Sequence, residues 1–107
     1  MYAIAFDLCI EDLKREYGEK YHSAYYEIKQ LLREFDFYNI QGSVYQSPNA
    51  TLVDLYDAID ALRLVPWFPK SCRDIRAYRV EEWSDFTESV KRRSKIRRNK
   101  KSLIEKQ

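Results

Sequence analysis

The sequence predicts an α+β domain, an antiparallel sheet with two helices packed on one face. Three observations carry that expectation. Stretches with the apolar character of strands alternate with two stretches whose apolar residues recur every three and four positions. Their order is strand, helix, strand, helix, strand. The 107 residues, 45 % apolar and 15 % aromatic with only two glycines, suffice for one hydrophobic core.

Residues 1–8, MYAIAFDL, form an apolar run broken only by Asp7 near its end, which marks a strand covered on both faces and therefore central. Residues 9–20 are charged and contain Gly18; they read as a connection with at most one short turn of helix at 11–16. From there Tyr21, Ala24, Tyr25, Ile28, Leu31, Leu32 and Phe35 line one face of an amphipathic helix. Residues 37–45 return to strand character, with Gly42 as a bulge or kink inside it and room for an extra strand near 45–47. Ser47-Pro48-Asn49 ends that stretch. Thr51 followed by Asp54 resembles a capping box opening a second helix, striped by Leu52, Leu55, Tyr56, Ile59 and Leu62 and stopped by Val65 ahead of Pro66.

Trp67-Phe68-Pro69 is an apolar loop that must pack under something. Residues 72–80 make a third strand, too charged to be fully buried, in which period two places Asp74 and Arg76 on one face and Arg73 and Arg79 on the other. Asp85 and Glu88 offer a last helix start, anchored by Phe86 and Val90. A ferredoxin-like sheet of βαββαβ type is the nearest standard form. Residues 1–90 are its single domain, and 91–107 a separate basic tail, expected to be helical near Val90 and frayed or disordered beyond.

Charge is distributed unevenly. Residues 1–90 hold 10 basic and 16 acidic residues and residues 91–107 hold 9 and one, balances of −6 and +8 that make the +2 of the whole chain. No apolar run approaches the roughly 20 residues of a membrane span, and the N-terminus lacks a secretory signal, so a cytoplasmic protein without membrane contact is expected. Cys9 and Cys72 are too few and too distant in sequence for a zinc site and read as free thiols. With His22 the only histidine, histidine-based metal clusters and Ser-His-Asp machinery are hard to build.

Four blocks, residues 1–8, 41–45, 66–68 and 73–87, resemble in order and spacing the virulence-associated protein D (VapD) family. The resemblance covers about residues 1–90. It implies a ferredoxin-like homodimer, related to the small dimeric subunit of the CRISPR adaptation machinery, and an endoribonuclease, in some members the toxin of a toxin-antitoxin pair. It makes Asp7, the aspartate closing the first strand, the catalytic carboxylate, with Ser43 beside the Gly42 kink and Asp74 with its flanking arginines as the second and third motifs. Two departures stand out: Cys9 follows the first strand directly, and the basic extension lies outside the usual pattern.

The residues suit that chemistry unevenly. Asp7 stands where the sheet meets solvent, and two copies of it in a dimer would flank one phosphate and hold a divalent ion, Mg²⁺ first among the candidates. Asp74 shares a face with Arg76, an arrangement that forms structural ion pairs as readily as sites. Arg73, Arg76 and Arg79 have the planar guanidinium that matches phosphate. Ser43 either contacts phosphate or satisfies the kinked backbone, and Tyr45 could stack on an unpaired base. Arg92, Arg93, Lys95, Arg97 and Arg98 make the tail an RNA-binding arm. The expected function is a metal-dependent endoribonuclease with RNA, a second copy and a protein antitoxin as partners; the alternative is a non-enzymatic dimeric scaffold of the same fold.

Overall fold

The computed structural model describes residues 1–92. Strand β1 (Tyr2–Leu8) is followed by helices α1 (Ile10–Tyr17) and α2 (His22–Glu34), the hairpin β2 (Tyr38–Gln41) and β3 (Val44–Ser47), helices α3 (Leu52–Arg63) and α4 (Phe68–Ser71), strand β4 (Cys72–Arg79) and a short helix α5 (Thr87–Lys91). The four strands lie in the order β2-β3-β1-β4, each pair antiparallel. That order, with helical crossovers from β1 to β2 and from β3 to β4, is the ferredoxin-like arrangement, and β1 is central as its apolar run requires.

Alternation along β1 divides the sheet. Ile4, Phe6 and Leu8 enter the core with Ala24, Ile28 and Leu32 of α2 and Leu55, Ala58 and Leu62 of α3. Ala3, Ala5 and Asp7 face the other way, opposite Tyr78, Arg76 and Asp74 of β4. Asp7 is therefore on the helix-free face.

Local chemistry explains the boundaries. The expected capping box is present: Thr51 Oγ1 accepts from the Asp54 N–H at 3.2 Å and the Asp54 carboxylate accepts from the Thr51 N–H at 2.8 Å. Helix α2 ends with Asp36 in the left-handed region at φ 67°. There the Phe37 N–H reaches the Leu32 carbonyl and the Asp36 N–H the Arg33 carbonyl, so the loose carbonyls are satisfied while Phe37 drops into the core beside Leu32.

Three expectations need correction. Residues 10–17 form a full two-turn helix, longer than the one short turn expected at 11–16, because Ile10, Leu13 and Tyr17 share one face and Leu13 is buried. Gly42, at φ 47°, sits in the turn of a hairpin and not inside one strand; Asn39 Nδ2 braces that turn by donating to the Gly42 carbonyl at 2.8 Å. Phe86 and Val90 do not anchor α5 in this core, since both are exposed. The apolar loop at 67–69 does pack: α4 buries Phe68 edge-on against Phe6, with ring centres 5.6 Å apart.

Phe37→Ala, which empties a fully buried site, is expected to cost about 4 kcal/mol in urea unfolding. Thr51→Ala removes only a cap and should cost about 1 kcal/mol. Equal losses would contradict this division between core and cap.

Candidate active site

The register of β1 against β4 builds the site. Phe6 pairs with Ile75, Asp7 with Asp74, then Leu8 with Cys72, so Arg73 is the extra residue of a β-bulge. The Cys9 N–H closes the strand end by donating to the Ser71 carbonyl at 2.8 Å. Strict alternation would send Arg73 to the face opposite Asp74. The bulge returns it to Asp7, whose Oδ2 lies 3.5 Å from Arg73 Nη1.

Two carboxylates directly opposite on neighbouring strands repel, a cost of roughly 0.2–1 kcal/mol for a like-charged pair. Each here has its own guanidinium: Arg73 beside Asp7, and Arg76 Nε 3.1 Å from Asp74 Oδ2. All four side chains are more than half exposed. Such pairs are weak, on the order of 0–1 kcal/mol, so an arriving anion can compete for the arginines at little cost.

Neighbouring groups feel this cluster. On α1, Asp12 accepts from the Cys9 thiol and from Arg15, and with the Arg73 charge added its carboxyl is held below the usual range. Tyr25 of α2 has its phenol pushed up by burial and, next, by the Asp7 charge. Burial also raises the Cys72 thiol, with further upward contributions from Asp74 and Asp7. Asp12 and Tyr25 escaped the sequence reading. Asp12 would have followed from the spacing of Ile10, Leu13 and Tyr17 as a helix; nothing local in the sequence points Tyr25 toward Asp7.

The other expected residues divide. Ser43 lies in the hairpin turn at the same end of the sheet, and its carbonyl accepts from the Phe6 N–H at 3.2 Å. Carrying alternation back from buried Tyr45 puts Ser43 in register with the helix side, opposite to the Asp7 face. Tyr45 itself is corrected: 3 % exposed and stacked on Phe6 with ring centres 5.9 Å apart, it is a core residue and offers no face to a base. Arg79 pairs with Tyr2, five residues and about 17 Å along β4 from Asp74, beside Glu81. Arg92 follows α5, and Arg93, Lys95, Arg97 and Arg98, with the rest of the expected tail, lie outside the described residues. Among the described residues no three or more of His, Cys, Asp and Glu converge as a metal cage, and no helix is long and apolar enough to cross a membrane.

No protein-family model matches the chain. Individual relatives do. Over 93 residues it is 55 % identical to a Helicobacter pylori protein named endoribonuclease VapD, a match spanning 85 % of this chain and 99 % of that one. This chain belongs to the VapD family. A Dichelobacter nodosus protein of the same name is 54 % identical over 91 residues, covering 85 % of this chain and 98 % of its own. A Neisseria gonorrhoeae protein named endoribonuclease VapD homolog is 48 % identical over 91 residues, covering 85 % and 99 %. VapD membership agrees with the sequence blocks noted above, and the VapD sheet places residues 1–8 beside the strand portion of 73–87, as the neighbouring strands that hold Asp7 and Asp74.

The charge on Asp74 has a readout in its neighbour. In a Cys9→Ser background, Asp74→Asn should speed alkylation of Cys72 by iodoacetamide at pH 8, because removing a negative charge lowers the thiol pKa and raises the thiolate fraction. An unchanged rate would separate the carboxylate from the thiol.

Proposed function

We propose that this VapD protein is an endoribonuclease that cleaves RNA phosphodiester bonds at the bulged end of β1 and β4. The observation that carries the reading is the register of Asp7 opposite Asp74 on an open face, each with its own arginine. The names of the VapD relatives, endoribonucleases in each case, point to the same chemistry.

The cluster has equal numbers of carboxylates and guanidiniums, so a phosphodiester entering it brings an excess negative charge. Arg73 and Arg76 can turn from the carboxylates to its oxygens, where a planar fork binds phosphate well. Asp7 and Asp74 are then left to bind a cation or accept a proton. Their chemistry fits Mg²⁺ in its usual protein setting, one or two carboxylates completed by water and phosphate oxygens, and not an all-protein cage. Bound there, the ion would polarise the phosphoryl oxygen and neutralise developing charge.

A homodimer is part of this reading. The helix-free face carries Ala5 and Val44, half-buried small apolar side chains paired on neighbouring strands that a second copy could cover. A dyad near the strand ends would bring two copies of Asp7 to one phosphate. The body is acidic, and the basic residues of 91–107, among them Arg93, Lys95, Arg97 and Arg98, would offset its repulsion of RNA. An RNA-cleaving toxin working in the cytoplasm and held in check by a protein antitoxin is the biological role this activity suits.

Cleavage of labelled RNA by wild type and Asp7→Asn, each with and without EDTA, tests the reading. Asp7→Asn should lose on the order of 100-fold or more in rate, and EDTA should abolish cleavage until Mg²⁺ is restored. Equal rates for the two proteins would leave a non-enzymatic scaffold; cleavage persisting in EDTA would remove the metal.

A further inference from the structure

Arg73 is loosely held for a side chain that is to meet a phosphate. Its contact to Asp7 is 3.5 Å long, whereas Arg76 reaches both oxygens of Asp74, at 3.1 and 3.4 Å. A cation bound at Asp7, or a proton accepted there, would weaken even that contact, because the charge that attracts the guanidinium is then neutralised. Keeping Arg73 at the bulge through the reaction calls for a second carboxylate that does not itself react.

The first turn of α1 has one. Cys9, the residue preceding α1, donates its N–H to the Ser71 carbonyl at 2.8 Å, which ties the start of the helix to the chain just before the bulge. Asp12 lies three residues after Cys9 and so on the same side of that first turn. Its carboxylate accepts from the Cys9 thiol, is paired with Arg15, and feels the charge of Arg73.

We propose that Asp12 is a positioning residue for the cleavage reaction, an anionic anchor on α1 that keeps the Arg73 guanidinium at the bulge while Asp7 is engaged. The inference rests on the endoribonuclease reading and adds to it a residue from outside the paired strands.

Two further features suit Asp12 to this role. Its side chain is 35 % exposed against 61 % for Asp7, so water screens its charge less. It also sits in the first turn of a helix, where the dipole favours a carboxylate. Arg15 does not cancel that charge outright, since it is shared with Glu16 at 4.0 Å. The pull of Asp12 on Arg73 acts across space. It biases where the guanidinium sits and leaves the N–H groups free to fork onto a phosphate.

The test is steady-state cleavage of labelled RNA by the full chain. Asp12→Asn should raise KM about fivefold and leave kcat nearly unchanged, since Arg73 grips the phosphodiester before and during the reaction. A helix weakened by losing a first-turn acid would instead lower kcat through the folded fraction, at constant KM. Arg73→Gln should raise KM at least as much, and adding Asp12→Asn to it should raise KM no further. Asp12→Glu, which keeps the charge, and Glu11→Gln, which removes the other acid of that turn, should both keep the wild-type KM. Losses that multiply in the double variant overturn the anchor. So does a fall in kcat alone, an equal rise in KM with Glu11→Gln, or Asp12→Glu as impaired as Asp12→Asn. Wild type separates the two readings: cleavage by it with an unchanged KM in Asp12→Asn sinks the anchor alone, and RNA left intact by wild type sinks both.

Discussion

The pairing of β1 with β4, including its one unmatched residue, is the constraint from which the rest of the candidate site follows. β1 is fixed from both sides by hydrogen bonds and from one face by the core through Ile4, Phe6 and Leu8. Its side chains cannot slip by one residue without exchanging the core face for the open one. That rigidity holds Asp7 on the open face at the strand's end. β4 then bulges there, leaving Arg73 and Asp74 together against one residue of β1. A regular strand would have split them.

The electrostatics of the cluster follow from its exposure. Two facing carboxylates in a closed core would be costly, but at a solvated strand end their repulsion is small and two arginines offset it. The result is a group of charges in balance, held by weak pairs that reorganise readily when a phosphate arrives. Stability is supplied elsewhere, by Phe37, Leu32 and the packed α2 and α3 behind the sheet, and by the aromatic cluster of Tyr45, Phe6 and Phe68 directly under the strand that presents Asp7. The scaffold and the reactive cluster lie on opposite faces of the same strand.

Much of this was readable in the chain. The apolar run at 1–8, the helix spacing from Tyr21, the capping box at Thr51 and the charged character of 72–80 each express a local physical rule, and each element formed as expected. What escaped depends on pairing. The bulge at Arg73 exists only relative to β1, so period two within β4 assigned that arginine to the wrong face. Tyr45 looked available for stacking because nothing local marks its ring as buried; the ring of Phe6, 39 positions earlier, covers it. The relation of Tyr25 to Asp7 is likewise tertiary. The full length of helix α1 was legible and overlooked, since its two turns show three apolar residues amid many charges.

The account's central claim is that Asp7 and Asp74 act as one site. A double-mutant cycle in RNA cleavage, measuring kcat/KM for Asp7→Asn, Asp74→Asn and the double variant, tests it most directly. Residues acting as a unit predict a double variant no slower than the slower single one. Losses that multiply would contradict the account, leaving the two carboxylates as independent neighbours on a charged strand end.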